Sequence, residues 1–135
     1  MTAPQPKDSP TFKPLFTSNY LSLSTLKKSG QWVETPVWFA GNDHTLFIFS
    51  ASKAGKVKRL CNFAQVKVAP CTVLGKTFGD SISGQAILLN DRAAINKAHQ
   101  ALLQRYGWQM RWTDLLSKLS GKFAKRQYIA VSLSV

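Results

Sequence analysis

The chain has 135 residues, 44% hydrophobic and 18% charged, which suits one domain with a real core and excludes a disordered polar chain. Its 18 Lys and Arg against 6 Asp and Glu give a net charge of +12, which implies an anionic partner: nucleic acid, an acidic surface or a phosphorylated small molecule. No stretch approaches the roughly 20 apolar residues of a membrane span, and the polar start "MTAPQPKDSPTFKP" is unlike a signal peptide, so a cytoplasmic protein without a membrane partner is expected.

Residues 1–15, with four prolines, read as a flexible arm ahead of a single domain over 16–135. "YLSLSTL" (20–26) alternates as a strand does, and "KKSGQ" turns the chain. "WVETPVWFAG" (32–41) is a second strand, in which Pro36 marks an edge or a bulge where another group can approach the backbone. "TLFIFSA" (45–51), apolar on both faces, is a central third strand. A helix follows within "SASKAGKVKRLCNF" (50–63), with Val57, Leu60, Cys61 and Ala64 as its apolar face. "QVKVAPC" (65–71) and "SGQAILL" (83–89) are strands on either side of a long glycine-containing turn. "NDRAAINKAHQALLQRYG" (90–107) is a helix capped by Asn90 or Asp91 and closed by Gly107. "TDLLSKLSG" (113–121) is a second short helix, and "RQYIAVSLSV" (126–135) is the closing strand. Six short strands with inserted helices predict a mostly β, small antiparallel barrel.

Cys61 and Cys71 lack CxxC spacing and read as reduced core thiols, while His44 and His99 have no second ligand at metal spacing, so no metal site is expected. The six acids fall mostly in turns and caps, and no nucleophile or Walker pattern occurs, so no catalytic side chain is nominated. If the chain is an enzyme, a cofactor carries the chemistry.

The cations Lys53, Lys56, Lys58 and Arg59 sit at a helix start, where the macrodipole disfavours positive charge. A solvated face is the plain reading. A bound phosphate is the other, since the helix N–H groups, Ser50 and Ser52, Lys56 and Arg59 could all donate to it. Trp38 and Phe39 of "TPVWF" are either core or the wall of a site for a flat heterocycle. "YGWQMRW" (106–112) is either helix-packing core or an aromatic wall at a subunit interface.

In order and at this spacing, "TPVWF", "SASKAGKVKRL", "VAPC" and "ALLQRYGWQ" resemble the pyridoxamine-phosphate-oxidase-like split β-barrel, in the branch that binds FMN or the deazaflavin coenzyme F-420. The resemblance covers about residues 20–134. It implies a homodimer with two cofactor sites at the subunit interface. It also implies that Ser50 and Ala51, at the end of the third strand, with Lys56, Lys58 and Arg59, hold the cofactor phosphate. The backbone of Pro36, Val37 and Trp38 would lie along the ring. True pyridoxamine-phosphate oxidases carry a further C-terminal segment with Arg and His residues, and this sequence ends at Val135, so vitamin B6 oxidation is not expected. The expected activity is flavin- or deazaflavin-dependent hydride transfer to an electron-poor small molecule. A basic nucleic-acid-binding barrel and a non-catalytic flavin- or heme-binding split barrel are the alternatives. Lys53 and Lys76 are candidates to meet the polyglutamate tail of the deazaflavin.

Overall fold

The computed structural model describes residues 11–51, 54–121 and 126–133. Its strands are β1 (Tyr20–Leu26), β2 (Trp32–Val37), β3 (Phe39–Gly41), β4 (Thr45–Ala51), β5 (Gln65–Cys71), β6 (Ile82–Leu89) and β7 (Arg126–Leu133). Helix α1 (Gly55–Asn62) follows β4, and α2 (Arg92–Tyr106) and α3 (Trp108–Leu119) stand between β6 and β7. The strands make one antiparallel sheet in the order β2-β1-β5-β6-β7-β4-β3.

The expected six strands are seven, because the run 32–41 breaks at Trp38. Residues up to Val37 pair with β1, where Val37 faces Leu21, whereas Phe39 onward pairs with β4, where Phe39 faces Ile48. One stretch of chain thus forms both ends of the sheet and closes it into a barrel. The change of partner needs new hydrogen bonds, since buried backbone groups cannot be left bare. Tyr106 meets that need: its hydroxyl accepts from Phe39 N–H at 3.0 Å and donates to the Asn19 carbonyl at 2.9 Å. The Tyr106 ring stacks on Trp38 with centroids 4.5 Å apart and planes 12° from parallel. Burial raises the phenol's pKa, which keeps the donor proton in place.

Strand alternation sorts the apolar residues onto two sides. Leu21, Leu23, Val37, Phe39, Leu46, Ile48, Val66, Val68, Ile129 and Val131 fill the barrel, with Leu60 of α1 among them. Outside the wall, Ala40, Phe47 and Tyr128 pack against Ala98, Leu102 and Tyr106 of α2 and Met110 of α3. The strand expected to be central, β4, is instead next to the edge of the sheet, flanked by the three-residue β3. It is apolar on both faces because it serves both sides, with Leu46 and Ile48 facing in and Phe47 out.

Phe12 and Leu15 belong to the barrel core and are almost wholly buried, so the stretch read as an arm contributes to the domain from at least Phe12; residues 1–10 lie outside the described residues. A short 3-10 turn over Lys13–Thr17 carries Leu15 inward. Cys71 is buried as expected, but Cys61 and Ala64 are exposed, because α1 is only two turns long and turns Val57 and Leu60 to the core. The last helix starts at Trp108 rather than Thr113, immediately after Gly107, whose φ of +56° lets the chain leave α2 and enter α3 without a linker.

Candidate functional site

The strand–helix junction after β4 gathers five of the eight nominated residues. Ser50 is buried at the end of β4, and among the described residues its hydroxyl makes only a long contact of 3.4 Å to the Ala51 carbonyl. Ala51 is exposed and pairs with Arg126 of β7. Helix α1 then begins at Gly55 without a side-chain cap and without an acid in its first turn. Lys56 is half-buried and Lys58 exposed there, while Ser52 and Lys53 lie outside the described residues. Arg59 belongs to the last turn, where the dipole favours a cation, so the conflict at the helix start is carried by Lys56 and Lys58.

Arg59 is anchored. Its Nε donates to Thr25 Oγ1 of β1 at 2.6 Å, and Thr25 is fully buried beside the barrel interior. The guanidinium lies back along the helix over Gly55, where a Cβ would stand 2.9 Å from an Arg59 terminal nitrogen. Lys56 shares this space: desolvation, and then repulsion from Arg59, hold its pKa below the ordinary lysine value of 10.5. Two like charges are therefore held together at a half-buried helix start. The donor set of Lys56, Lys58, Arg59 and the Ser50 hydroxyl, with no carboxylate in α1, fits a phosphate group.

Pro36, Val37 and Trp38 are not part of this junction in the contacts they make. Pro36 is exposed on β2 opposite Ser22 and lies beside Gly75 of the β5–β6 loop. Val37 points into the barrel, and Trp38 packs on Tyr106 and Phe49. Phe39 is fully buried, so "VWF" is satisfied within one chain. In "YGWQMRW" the split is by residue: Tyr106 and Met110 are core, and Trp108 and Trp112 are exposed.

Beside Pro36, the outer face of β2, β1 and β5 forms an open groove of about 470 Å³ roofed by residues 77–81. Ser22, Ser24, Glu34 and Lys67 line it, and the Lys67 ammonium lies 4.6 Å from the centre of the Trp32 ring. Sequence reading missed this groove; its one available signal was the serines alternating with leucines along β1. It also missed Thr25 and Asp114. Asp114 is a buried acid that binds His99 Nε2 and Arg126 Nη1, each at 2.7 Å.

Structural comparison decides the fold. A protein of the pyridoxinephosphate oxidase family from Clostridium acetobutylicum, related to general stress protein 26, superposes with a TM-score of 0.64 at 13% identity over 90% of this chain and 79% of its own. This chain has the pyridoxamine-phosphate-oxidase-like split-barrel fold. The heme storage protein HutZ of Vibrio cholerae has the same split barrel, with a TM-score of 0.67 at 13% identity, covering 92% of this chain and 88% of HutZ. An F-420 reductase matches at a TM-score of 0.58 and 14% identity, over 98% of this chain and 97% of its own. No protein-family model and no curated protein sequence matches the chain.

Proposed function

We propose that this split barrel binds a phosphate-bearing flavin or deazaflavin, FMN or coenzyme F-420, and passes hydride from it to an electron-poor small molecule in the cytoplasm. The observation that carries the reading is the Lys56–Arg59 pair, two cations kept close, Lys56 half-buried, with no acid in α1 to offset them. A phosphate relieves that repulsion and draws on Lys58 and Ser50 as well. Charge-assisted hydrogen bonds of this kind contribute about 1.5–3 kcal/mol each. When bound, the tricyclic ring supplies the hydride-accepting and hydride-donating position. The protein's own part is to grip the phosphate and shape a pocket. Pro36 and the groove beside it are the proposed neighbours of the ring, reached across a homodimer in which two copies share each site.

A net charge of +12 favours the more anionic of the two cofactors, the deazaflavin with its phosphodiester and polyglutamate tail. Lys76, exposed on the β5–β6 loop, is in reach of solvent to meet that tail. Titration of purified protein with FMN and with F-420 at low and high salt tests the reading. The expected result is tighter binding of F-420 at low salt and loss of that advantage at high salt, because exposed charges are screened beyond about 10 Å at 0.1 M. Failure of both ligands to bind overturns the proposal. Binding of hemin alone would move the protein to the non-catalytic, heme-handling reading.

A further inference from the structure

Helix α3 is built inside out. Drawn at about 100° per residue, Trp108, Trp112, Leu115, Leu116 and Leu119 fall on one face of about 100° of arc, and Met110 and Asp114 lie roughly opposite. The apolar face is the exposed one: these five residues are 74%, 58%, 46%, 51% and 77% exposed, respectively. The face turned to the protein carries the carboxylate, with Asp114 buried between His99 of α2 and Arg126 of β7. The outward aim of the stripe is thus fixed by an ionic clamp and is not slack at a chain end. A run of apolar side chains of this size on a surface marks an interaction site.

The surrounding charge selects the occupant. Arg111 and Lys118 lie beside Leu115 along the groove between α2 and α3. Helix α2 adds Arg92 and Lys97 and contains no acid, and the one acid of α3 is turned inward. A second copy of this helix would set cation against cation with no carboxylate to pair them. Trp108 and Trp112 offer nucleic-acid bases a stacking face, but Leu115, Leu116 and Leu119, the larger part of the stripe, offer none. A ridge with tryptophan and leucine on its crest and arginine and lysine on its flank matches a helix that lies in the boundary between lipid headgroups and acyl chains. Among the described residues no helix is long and apolar enough to cross a membrane, and this mode of binding requires none.

We propose that α3 is a membrane-surface helix that seats Trp108, Trp112, Leu115, Leu116 and Leu119 in an anionic lipid bilayer, with Arg111 and Lys118 on the headgroups. The test is co-sedimentation of the full chain with phosphatidylcholine vesicles, with and without phosphatidylglycerol as about a third of the lipid. The wild type is expected to bind the anionic vesicles and not the neutral ones. The exposed-face variant Trp112→Gln/Leu116→Gln is expected to lose on the order of tenfold in affinity, because it removes apolar area that enters the lipid. Arg111→Gln is expected to weaken binding by a smaller factor and to flatten its salt dependence. Equal binding of wild type and Trp112→Gln/Leu116→Gln would overturn the proposal, since net charge would then suffice. A change in oligomeric state by sedimentation velocity in that variant would also overturn it, by assigning the stripe to a second copy. Circular dichroism and flavin titration of the variant, expected to match wild type, separate loss of lipid binding from loss of fold or cofactor site.

Discussion

Lys56 is partly buried and has a like charge for a neighbour, which is a cost in the ligand-free protein. Its pKa is lower in the folded chain than the ordinary 10.5, so the unfolded chain binds more protons between the two values and stability rises with pH across that window. Below the window the cost is present in full. Lys56→Gln is therefore expected to raise the melting temperature of the ligand-free protein at neutral pH, with the gain fading as pH approaches 10.5. The same variant is expected to weaken flavin or deazaflavin binding by about 1.5–3 kcal/mol for the lost phosphate contact, read by fluorescence titration. A rise in stability without a loss of affinity would return Lys56 to a solvated face. Tyr106 presents the opposite case, a group whose polar atom is fully used. Tyr106→Phe leaves the Phe39 N–H and the Asn19 carbonyl without their partner, and a loss of about 1–3 kcal/mol is expected in urea unfolding.

At the scale of elements, α3 is held by Asp114, and its partner Arg126 has a side chain only 5% exposed. Removing the carboxylate takes away the charged partner of that guanidinium and leaves it the neutral Ser117 hydroxyl at 2.9 Å, so Asp114→Ala is expected to cost about 3 kcal/mol by denaturant titration. The double change Asp114→Leu/Arg126→Met, which removes both charges, is expected to recover part of it. None of this was legible in the sequence, where hydropathy assigns tryptophan and leucine to the core and aspartate to solvent. Most elements were legible. The bounds of β1, β4 and β5 were read correctly, β1 from its alternation and β4 from its two-sided apolar run, and Asp91 caps α2 through Ala94 N–H at 3.1 Å as its residue type suggests. The break at Trp38 was hidden because "WVETPVWFAG" runs through Val37–Ala40 as one apolar stretch with no turn residue inside it, and what divides it is a tyrosine 67 residues away. Phe12 and Leu15 were hidden by the prolines around them. In the candidate site, the cations of α1 were legible by composition. The anchoring of Arg59 by Thr25, 34 residues upstream, was not, since side-chain partners across a barrel leave no local pattern.

For the whole molecule, the buried state of Phe39 and the stacking of Trp38 remove "VWF" as a reason to dimerise, and the exposed apolar residues lie elsewhere. Val73, Leu74 and Phe78 stand out on the β5–β6 loop, with Leu74 91% exposed, next to the groove and to Pro36. That loop is where the proposed homodimer is expected to close. Sedimentation velocity at micromolar concentration is expected to show a dimer, and Leu74→Glu/Phe78→Glu a monomer that binds flavin more weakly. A wild-type monomer would remove the shared site. The route of the chain through Trp38 has a separate consequence, for the safety of the fold. An open seven-stranded sheet has two raw hems, each able to recruit a strand from a stranger. Here both hems are cut from one ribbon of ten residues, 32–41, stitched at a single tryptophan. Neither can lift away while Tyr106 holds the stitch. A permuted chain, with its old ends joined and new ones made at Trp38, would retain every ladder of the sheet and still expose both hems, and its expected fate is end-to-end polymer.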